Sequence, residues 1–356
     1  MKKFTLLLTA ALFALPSLAR DFEYNGLTYT VLDEDARTCE TKAGDEWNGI
    51  TGNEVEGDLV IPSTVYDGDV AYSVTEIGDY AFFDCDNLAS VEIPSSVIKI
   101  GYGAFYDCLS LASVEIPSSV IEIGDWVFYA CFSLASVEIP SSVTKIGESA
   151  FYTCSSLTSV KIPSSVTEIG DYAFYGCSSL ASVEIPSSVT KIGESAFSDC
   201  LSLASVELPS SITEIGPTAF LGCSSLTAIE IPSSVTKIGW SVFSNCSSLT
   251  SVYYGAETLI ETLFEDIFDP DTYANATLYV RESALPQAET VTPWCLFANR
   301  EAFDFEVGVK GVGADAEATV EVYTLDGVKV GTSTDELPTG VYVVRQGSDV
   351  RKVAVK

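Results

Sequence analysis

Cysteine is the residue of this sequence whose type and spacing first suggest chemistry. Eight of the ten cysteines recur every 23 residues, at Cys85, Cys108, Cys131, Cys154, Cys177, Cys200, Cys223 and Cys246. Ten cysteines in an extracellular protein would ordinarily form disulfides. One cysteine per repeat instead predicts a straight column with roughly 4.8 Å between neighbours, beyond the ~3.5–4.5 Å between Cβ atoms that a disulfide requires. We therefore predict a column of buried, reduced thiols.

The same column argues against a metal site, since thiolates in a straight stack cannot surround an ion tetrahedrally. Cys39 and Cys295 lie outside the column near opposite ends of the chain, and we expect them not to pair with each other.

The charge composition limits the classes of function. The chain has 356 residues, no histidine and a formal net charge of −32. Without histidine, the commonest general base and metal ligand is missing. Carboxylates are abundant, but they lie in repeated columns that lack the unlike surroundings needed to separate an acid from a base. The negative charge also disfavours nucleic acid and anionic membranes. We predict a protein that is not an enzyme, uses no cofactor and binds no nucleic acid.

An aromatic column offers the best candidate binding site. The residue after each Ala-Phe or Val-Phe dipeptide is aromatic in five consecutive repeats, at Phe83, Tyr106, Tyr129, Tyr152 and Tyr175. Later repeats carry Ser198, Leu221 and Ser244 at this position, so we expect the column to be at least partly exposed. Alternate repeats add Tyr80, Trp126 and Tyr172 nearby. Two interpretations stay open: rings that stack to stabilise neighbouring repeats, or a binding surface, where Tyr and Trp are enriched.

Two further columns are charged. One alternates in sign at Glu76, Lys99, Glu122, Lys145, Glu168, Lys191, Glu214 and Lys237. It predicts a ladder in which each charge lies between two opposite ones and which fixes the register of the repeats. The other is mostly acidic, at Glu92, Glu115, Glu138, Lys161, Glu184, Glu207 and Glu230. It is either a solvated acidic face or a strip that attracts a basic partner or divalent cations, and we include its first three glutamates among the candidate binding residues.

All these columns belong to one 23-residue repeat, clearest as SVTKIGESAFYTCSSLTSVKIPS from Ser142 to Ser164. A fixed period of this length is typical of a solenoid. We predict two short strands per repeat, L-x-x-V-x-I and V-x-x-I-G, because apolar and polar residues alternate in both. Proline ends the first strand, since it has no N–H to donate. The A-F-x-x-C segment predicts a single helical turn.

The chain outside the repeats divides into four further parts. Residues 1–19 read as a signal peptide, with a basic start, an apolar run too short to span a bilayer, and a Ser17-Leu18-Ala19 cleavage site. Residues 20–72 predict an N-terminal cap, with a hairpin at Asn25-Gly26 and an insertion around Tyr66–Asp69. The array occupies 73–254, a C-terminal cap 255–306, and a small β unit 307–356.

The array is similar to the BspA-like leucine-rich repeats, whose pattern I-G-x-x-A-F-x-x-C-x-x-L-x-x-V-x-I-P recurs in phase from about Ser73 to Val252. The resemblance implies a curved solenoid of eight units on a bacterial cell surface, in a family that includes adhesins. Ala276 to Val280, Trp294 and Phe297 resemble the end cap of that family.

The last fifty residues resemble the C-terminal sorting domain of the type IX secretion system, a small β-sandwich-like unit. The matching positions are Tyr323, Asp326, Gly327, Leu337, Pro338, Gly340, Tyr342 and Lys352 to Lys356. The resemblance implies that the protein is secreted or fixed to the outer cell surface.

Three functions stay open. The first is an adhesin-like binding protein whose partner is a protein of the host matrix or of another bacterial surface. The second is a glycan-binding protein, which exposed Tyr and Trp residues would also suit. The third is a passive structural component of the surface.

Overall fold

Short strands and turns repeat along the chain in the structure, which is a computed structural model. It describes residues 20–42, 55–262, 264–303, 305, 320–323, 329–332, 340–346 and 349–355. The predicted signal peptide, and Asp326, Gly327, Leu337, Pro338 and Lys356 of the predicted sorting domain, lie outside the described residues.

The first strand of each repeat stacks on its neighbours in parallel, which confirms the solenoid. Leu157, Val160 and Ile162 are at most 5% exposed, whereas Ser159 and Lys161 between them face solvent. Equivalent residues of successive repeats are paired, for example Ser136 with Ser159. This first-strand ladder consists of two parallel sheets. One comprises Gly57–Val60, Leu88–Glu92, Ser113–Glu115, Ser136–Glu138, Ser159–Lys161, Ser182–Glu184 and Ser205–Glu207, and the other comprises Ala228–Ile231, Ser251–Tyr254, Thr277–Val280 and Asn299–Ala302.

The second predicted strand forms another parallel ladder. Its isoleucine points into the core, and the following glycine donates to the preceding coil, as Gly147 N–H does to Ile123 O at 2.9 Å. This second-strand ladder comprises Thr38–Thr41, Val70–Ile77, Lys99–Ile100, Glu122–Ile123, Lys145–Ile146, Glu168–Ile169, Lys191–Ile192, Glu214–Ile215 and Lys237–Ile238.

The A-F-x-x-C segment differs from the predicted helical turn. Ser149, Phe151 and Thr153 donate their N–H groups to the next coil, while Tyr152 and Cys154 donate to the residue three positions back. Both Ser149 and Thr153 have positive φ, 51° and 54°. The segment is therefore two consecutive tight turns that hydrogen-bond along the solenoid, and we call it the turn side of the coil.

A stack of phenylalanines fills the core behind the turn side. Neighbouring rings are 5.2–5.6 Å apart between centroids, and all but the last have no exposed area. The stack comprises Phe82, Phe105, Phe128, Phe151, Phe174, Phe197, Phe220, Phe243 and Phe268. Because each ring stacks on the rings of the adjacent coils, the core is continuous but assembled coil by coil.

Both ends of the array are closed by segments that join its ladders. The N-terminal hairpin, Asp21–Tyr24 with Leu27–Asp33, turns at Asn25 and Gly26 with positive φ at both, as predicted. The insertion forms a second hairpin, Thr64–Asp67 with Val70–Ile77. At the other end, the helices Pro270–Asn275 and Leu285–Ala288 flank two further strands of the first-strand ladder, and Trp294 is fully buried. The stacking thus continues well beyond Val252.

The C-terminal unit contains four strands: Val320–Tyr323, Lys329–Gly331, Gly340–Gln346 and Asp349–Val355. They form one antiparallel sheet. Across the described part of the chain, no helix is long and apolar enough to cross a membrane.

The glycine of the second strand gives a matched pair of substitutions. A Cβ on Gly147 would lie 2.4 Å from Asp125 Oδ1 and 2.6 Å from the carbonyl carbon of Gly124, whereas on Gly124 it would meet nothing closer than Ile100 O at 3.4 Å. We expect Gly147→Ala to lower the free energy of unfolding by about 1–3 kcal/mol because backbone must move. We expect Gly124→Ala to change it by less than about 0.5 kcal/mol. Denaturant titration of both variants decides this, and equal losses would contradict it.

Candidate binding surface

The structure brings the five predicted column aromatics into one stack. Ring centroids are 4.5 Å apart for Tyr106 and Tyr129, 4.4 Å for Tyr129 and Tyr152, and 4.6 Å for Tyr152 and Tyr175, with planes within 7° of parallel. Phe83 continues the stack at 5.5 Å from Tyr106, tilted by 49°. All five side chains are half-buried, so the column presents ring edges to solvent.

The three aromatics predicted on alternate coils join this stack. Trp126 lies 5.5 Å from Tyr129, Tyr172 lies 6.2 Å from Tyr175, and Tyr80 lies 5.9 Å from Phe83. A ninth residue, Tyr102, contacts Tyr80 at 5.3 Å and Trp126 at 5.5 Å. We call this connected set the aromatic surface: Tyr80, Phe83, Tyr102, Tyr106, Trp126, Tyr129, Tyr152, Tyr172 and Tyr175.

Sequence reasoning missed Tyr102 because its position has no consistent character. The residue after the glycine is Asp79, Tyr102, Asp125, Glu148, Asp171, Glu194, Pro217 and then Trp240. On alternate coils the aspartate accepts the backbone N–H of the next coil, as Asp79 Oδ1 does from Tyr102 at 2.8 Å. A large aromatic residue directly follows each of these aspartates. The signal in the sequence was therefore an alternation over two coils, which identifies Tyr80, Trp126 and Tyr172 but not Tyr102 itself.

Three of these aromatics have strained backbone. The φ angle is 50° at Tyr80, 62° at Trp126 and 57° at Tyr172. Bulky residues rarely adopt this left-handed region, and the remaining coils carry Gly, Ser or Thr at the same position. Gly103 is one of them, and a Cβ there would lie 2.5 Å from the Tyr80 ring. Ser149 and Thr218 share this conformation, with φ of 51° and 52°, so the positive φ belongs to the turn of every coil, whatever residue it carries.

Serine fits the aromatic column in later coils because its side chain is short, and not because the position is exposed. The serines predicted an exposed position, but Ser198 is fully buried and Ser244 is 9% exposed. A short side chain stays below the surface at this position, while tyrosine reaches out to solvent. Ser244 donates to Asp266 O at 2.8 Å, but the hydroxyl of Ser198 has no hydrogen-bond partner.

The surroundings of three tyrosines on the aromatic surface raise the pKa of their hydroxyl groups. A hydrogen bond of 2.7 Å from Tyr172 Oη to Glu194 raises the pKa of Tyr172 to about 12. Burial is the main cause of the raised pKa values of Tyr129 and Tyr175. These three tyrosines therefore keep neutral hydroxyl groups to higher pH than an ordinary tyrosine.

The acidic column lies on a different side of the coil. Glu92, Glu115 and Glu138 are exposed on the first-strand ladder and paired in register, whereas the aromatic surface lies on the turn side. Glu138 is followed in register by Lys161, which interrupts the run of like charge. The predicted site residues thus form two separate surfaces.

The alternating charged column makes ion pairs, and each pair joins two adjacent coils. Each lysine contacts the glutamate of the preceding coil, at 3.2 Å for Lys99, 3.3 Å for Lys145, 3.5 Å for Lys191 and 3.4 Å for Lys237. The register places Lys191 between Glu168 and Glu214, as the alternation predicts, but the ion pairs of the described array form only with the preceding coil and so define two-coil units. At this exposure each pair contributes roughly 0.2–1 kcal/mol.

The cysteine column is free of disulfides, as predicted. All nine cysteines from Cys39 to Cys246 are buried and form no disulfide, and Cys295 is a partly exposed thiol. The thiols from Cys108 to Cys246 donate to the phenylalanine carbonyl of the preceding coil over 3.0–3.3 Å. The column is therefore part of the core, with no role in the candidate site.

Comparison with known proteins identifies the family whose repeats match this array. The family model of the BspA-type leucine-rich repeat region, in six copies, matches residues 69–179 and 146–269, more than half of the chain. No curated protein matches the chain.

Three solved structures show the range of similarity. A leucine-rich repeat protein from Bacteroides ovatus is 28% identical, over 75% of this chain and 81% of its own, with a TM-score of 0.49. The T. pallidum leucine-rich repeat protein is 30% identical, over 65% of this chain and 91% of its own, with a TM-score of 0.47. A leucine-rich cell surface protein from Faecalibacterium prausnitzii is 23% identical, over 81% of this chain and 96% of its own, with a TM-score of 0.36.

Proposed function

We propose a binding function for this chain, which belongs to the BspA-type leucine-rich repeat family. The family suggests a repeat-based binding or surface role. More specifically, the protein is an exported, non-enzymatic, adhesin-like protein that holds a protein partner on the aromatic surface of its first five coils. The predicted signal peptide and the resemblance to a sorting domain support export to the outer surface, and the lack of histidine supports a role without catalysis.

The observation that carries the proposal is that the array does not need its aromatic column. Coils that carry Ser198, Leu221 and Ser244 stack with the same second-strand register and the same phenylalanine core as the coils that carry tyrosine. Aromatic residues limited to five consecutive coils are therefore in excess of what stacking demands. Bulky aromatic residues at the positive-φ position of the turn point the same way, because the other coils fill that position with Gly, Ser or Thr.

The stacking geometry favours a protein partner over a glycan. Sugars bind aromatic residues through an open ring face, but the faces of Tyr129 and Tyr152 are covered by neighbouring rings 4.4–4.6 Å away. What is left for a partner is a row of ring edges and hydroxyl groups. Such a row suits side chains and backbone amides, for which tyrosine combines contact area with a hydrogen bond.

The test compares the wild-type chain with the triple variant Tyr106→Ser, Tyr129→Ser, Tyr152→Ser. Serine is the residue that later coils carry at this position, so the variant should fold. Both proteins are applied to a panel of purified host extracellular-matrix proteins, a panel of bacterial surface proteins and a glycan array. We expect the wild type to bind at least one protein and the variant to bind it at least about tenfold more weakly, since several hot-spot residues are lost.

Trp240→Ser provides the matched control, because Trp240 is 43% exposed but lies outside the aromatic surface. This control should bind like the wild type. Undiminished binding by the triple variant would refute the site. Binding to glycans alone would favour the glycan-binding alternative, and no binding to any panel would favour a passive surface component.

A further inference from the structure

The second-strand ladder contains a cavity of about 680 Å³ at its first coils. The residues that line it include Ile98 and Ile121 on adjacent coils, together with Gly101, Tyr102 and Gly124. This volume lies within the roughly 300–1,000 Å³ range of ligand pockets. Neither predicted surface includes the cavity, although Tyr102 is common to the cavity and the aromatic surface.

The cavity exists because the ladder opens at one place. The glycines at 101, 147, 170, 193, 216 and 239 each donate an N–H to the isoleucine of the preceding coil over 2.8–3.1 Å. Within the described array Gly124 lacks this bond to Ile100, and it is the glycine whose added Cβ would be 3.4 Å from Ile100 O. The backbones of these two coils are therefore further apart than elsewhere.

The wall of the cavity is apolar where the other coils are polar. Ile98 is 55% exposed and Ile121 is 62% exposed. Threonine holds the same position in the other coils, at Thr75, Thr144, Thr167, Thr190, Thr213 and Thr236. In several coils this threonine donates its hydroxyl to the carbonyl of the preceding coil, as Thr144 does to Ile121 O at 3.3 Å. Isoleucine forgoes that bond and places aliphatic surface in water, so folding alone does not explain it.

The rim of the cavity is acidic. It carries Glu76, Asp79, Glu122 and Asp125 against one cation, Lys99, whose Nζ is paired with Glu76 at 3.2 Å. Glu122 is in turn paired with Lys145 of the next coil at 3.3 Å, so carboxylates outnumber ammonium groups by four to two around the apolar wall. A ligand that fits both properties has an aliphatic side chain beside a positive charge.

We propose that this cavity binds a segment of the protein partner in which leucine-like side chains alternate with arginine or lysine. The inference rests on the proposed function, and it names the chemistry of the segment that continues from the aromatic surface. Tyr102 is the connection, because its ring packs against Tyr80 and Trp126 while it also lines the cavity. The aliphatic groups cover Ile98 and Ile121, and the cations face the carboxylates of the rim.

The test uses the full chain with labelled isoleucine methyl groups and two probe peptides, acetyl-Leu-Arg-Leu-Arg-amide and acetyl-Leu-Glu-Leu-Glu-amide. We expect the basic peptide to shift the methyl signals of Ile98 and Ile121, and the acidic peptide to leave them unchanged. The variant Ile98→Thr, Ile121→Thr restores the residue of the other coils, so it should fold, and it should bind the basic peptide about tenfold more weakly. In the control Thr167→Ile, Thr190→Ile, which exposes two isoleucines away from the cavity, the basic peptide should still bind as in the wild type.

Absence of methyl shifts with the basic peptide, or equal shifts with both peptides, would overturn the inference. So would undiminished binding by the double-threonine variant. This result is separable from the proposed function, which fails if the wild type captures no protein from the panels. If the wild type captures a protein that the tyrosine variant loses and the double-threonine variant keeps at full affinity, the proposed function stands and the cavity inference falls.

Discussion

Raising the pH from about 7.5 to about 9.5 should lower the free energy of unfolding by on the order of 10 kcal/mol. The cause is the buried cysteine column. Burial raises the pKa of Cys246 and of Cys39 to about 12, and it raises the pKa values of the thiols from Cys108 to Cys223 well above the ordinary value. The folded protein therefore keeps its thiols protonated.

The direction follows from the unfolded chain, whose thiols titrate near ~8.5. The folded pKa values lie above the unfolded ones, so the stabilising contribution is complete below pH ~8.5 and is lost as the pH rises towards the folded values. Each thiol then loses roughly 1.4 kcal/mol per pH unit, and eight thiols act together.

Denaturant titration at a series of pH values, with a reductant present, measures this loss. The slope of stability against pH reports the protons released on unfolding. The variant Cys154→Ala, Cys177→Ala, Cys200→Ala should release about three fewer protons in the same range, whatever its stability at neutral pH. A stability that stays flat up to pH ~9.5, or a variant with an unchanged slope, would contradict the prediction.

Truncation of one core ring should have the next largest effect. Phe174 has no exposed area, and its centroid lies 5.3 Å from the rings of both Phe151 and Phe197. We expect Phe174→Ala to lower the free energy of unfolding by about 3–5 kcal/mol, because it leaves a cavity that stacked coils cannot close. Calorimetry and denaturant titration both measure the loss.

The control is the next residue along the chain. Tyr175 stacks on Tyr152 at 4.6 Å but is partly exposed, so Tyr175→Ala should cost only about 1 kcal/mol. Similar losses for the two variants would mean that the outer stack carries as much stability as the core. That outcome would also weaken the case for the aromatic surface as a binding site.

The fold could be predicted because every structural column has the same 23-residue offset. Because the offset is constant, Tyr106 must stack on Tyr129 and Cys131 on Cys154, whatever the shape of the coil. The turn side could not be predicted in the same way. Its conformation depends on positive φ at residues such as Ser149 and Thr153, and neither residue type signals that conformation.

The parts of the candidate site that escaped prediction are those that break the repeat. Tyr102 occupies a position whose residue changes from coil to coil. The cavity at Ile121 depends on a hydrogen bond that Gly124 does not make, although the I-G dipeptide there is the same as in the neighbouring repeats. Burial of Ser198 was likewise set by depth below the surface, which residue type alone does not report.

The pairing of coils two by two restricts how the gene can change in length. Each lysine of the charged column contacts the preceding glutamate, and Asp79, Asp125 and Asp171 recur every 46 residues, two periods of 23. Loss or gain of 46 residues by recombination between repeats would keep every ion pair and every aspartate contact. A change of 23 residues would bring glutamate onto glutamate or lysine onto lysine at the junction. Natural length variants of this array should therefore differ by even numbers of coils.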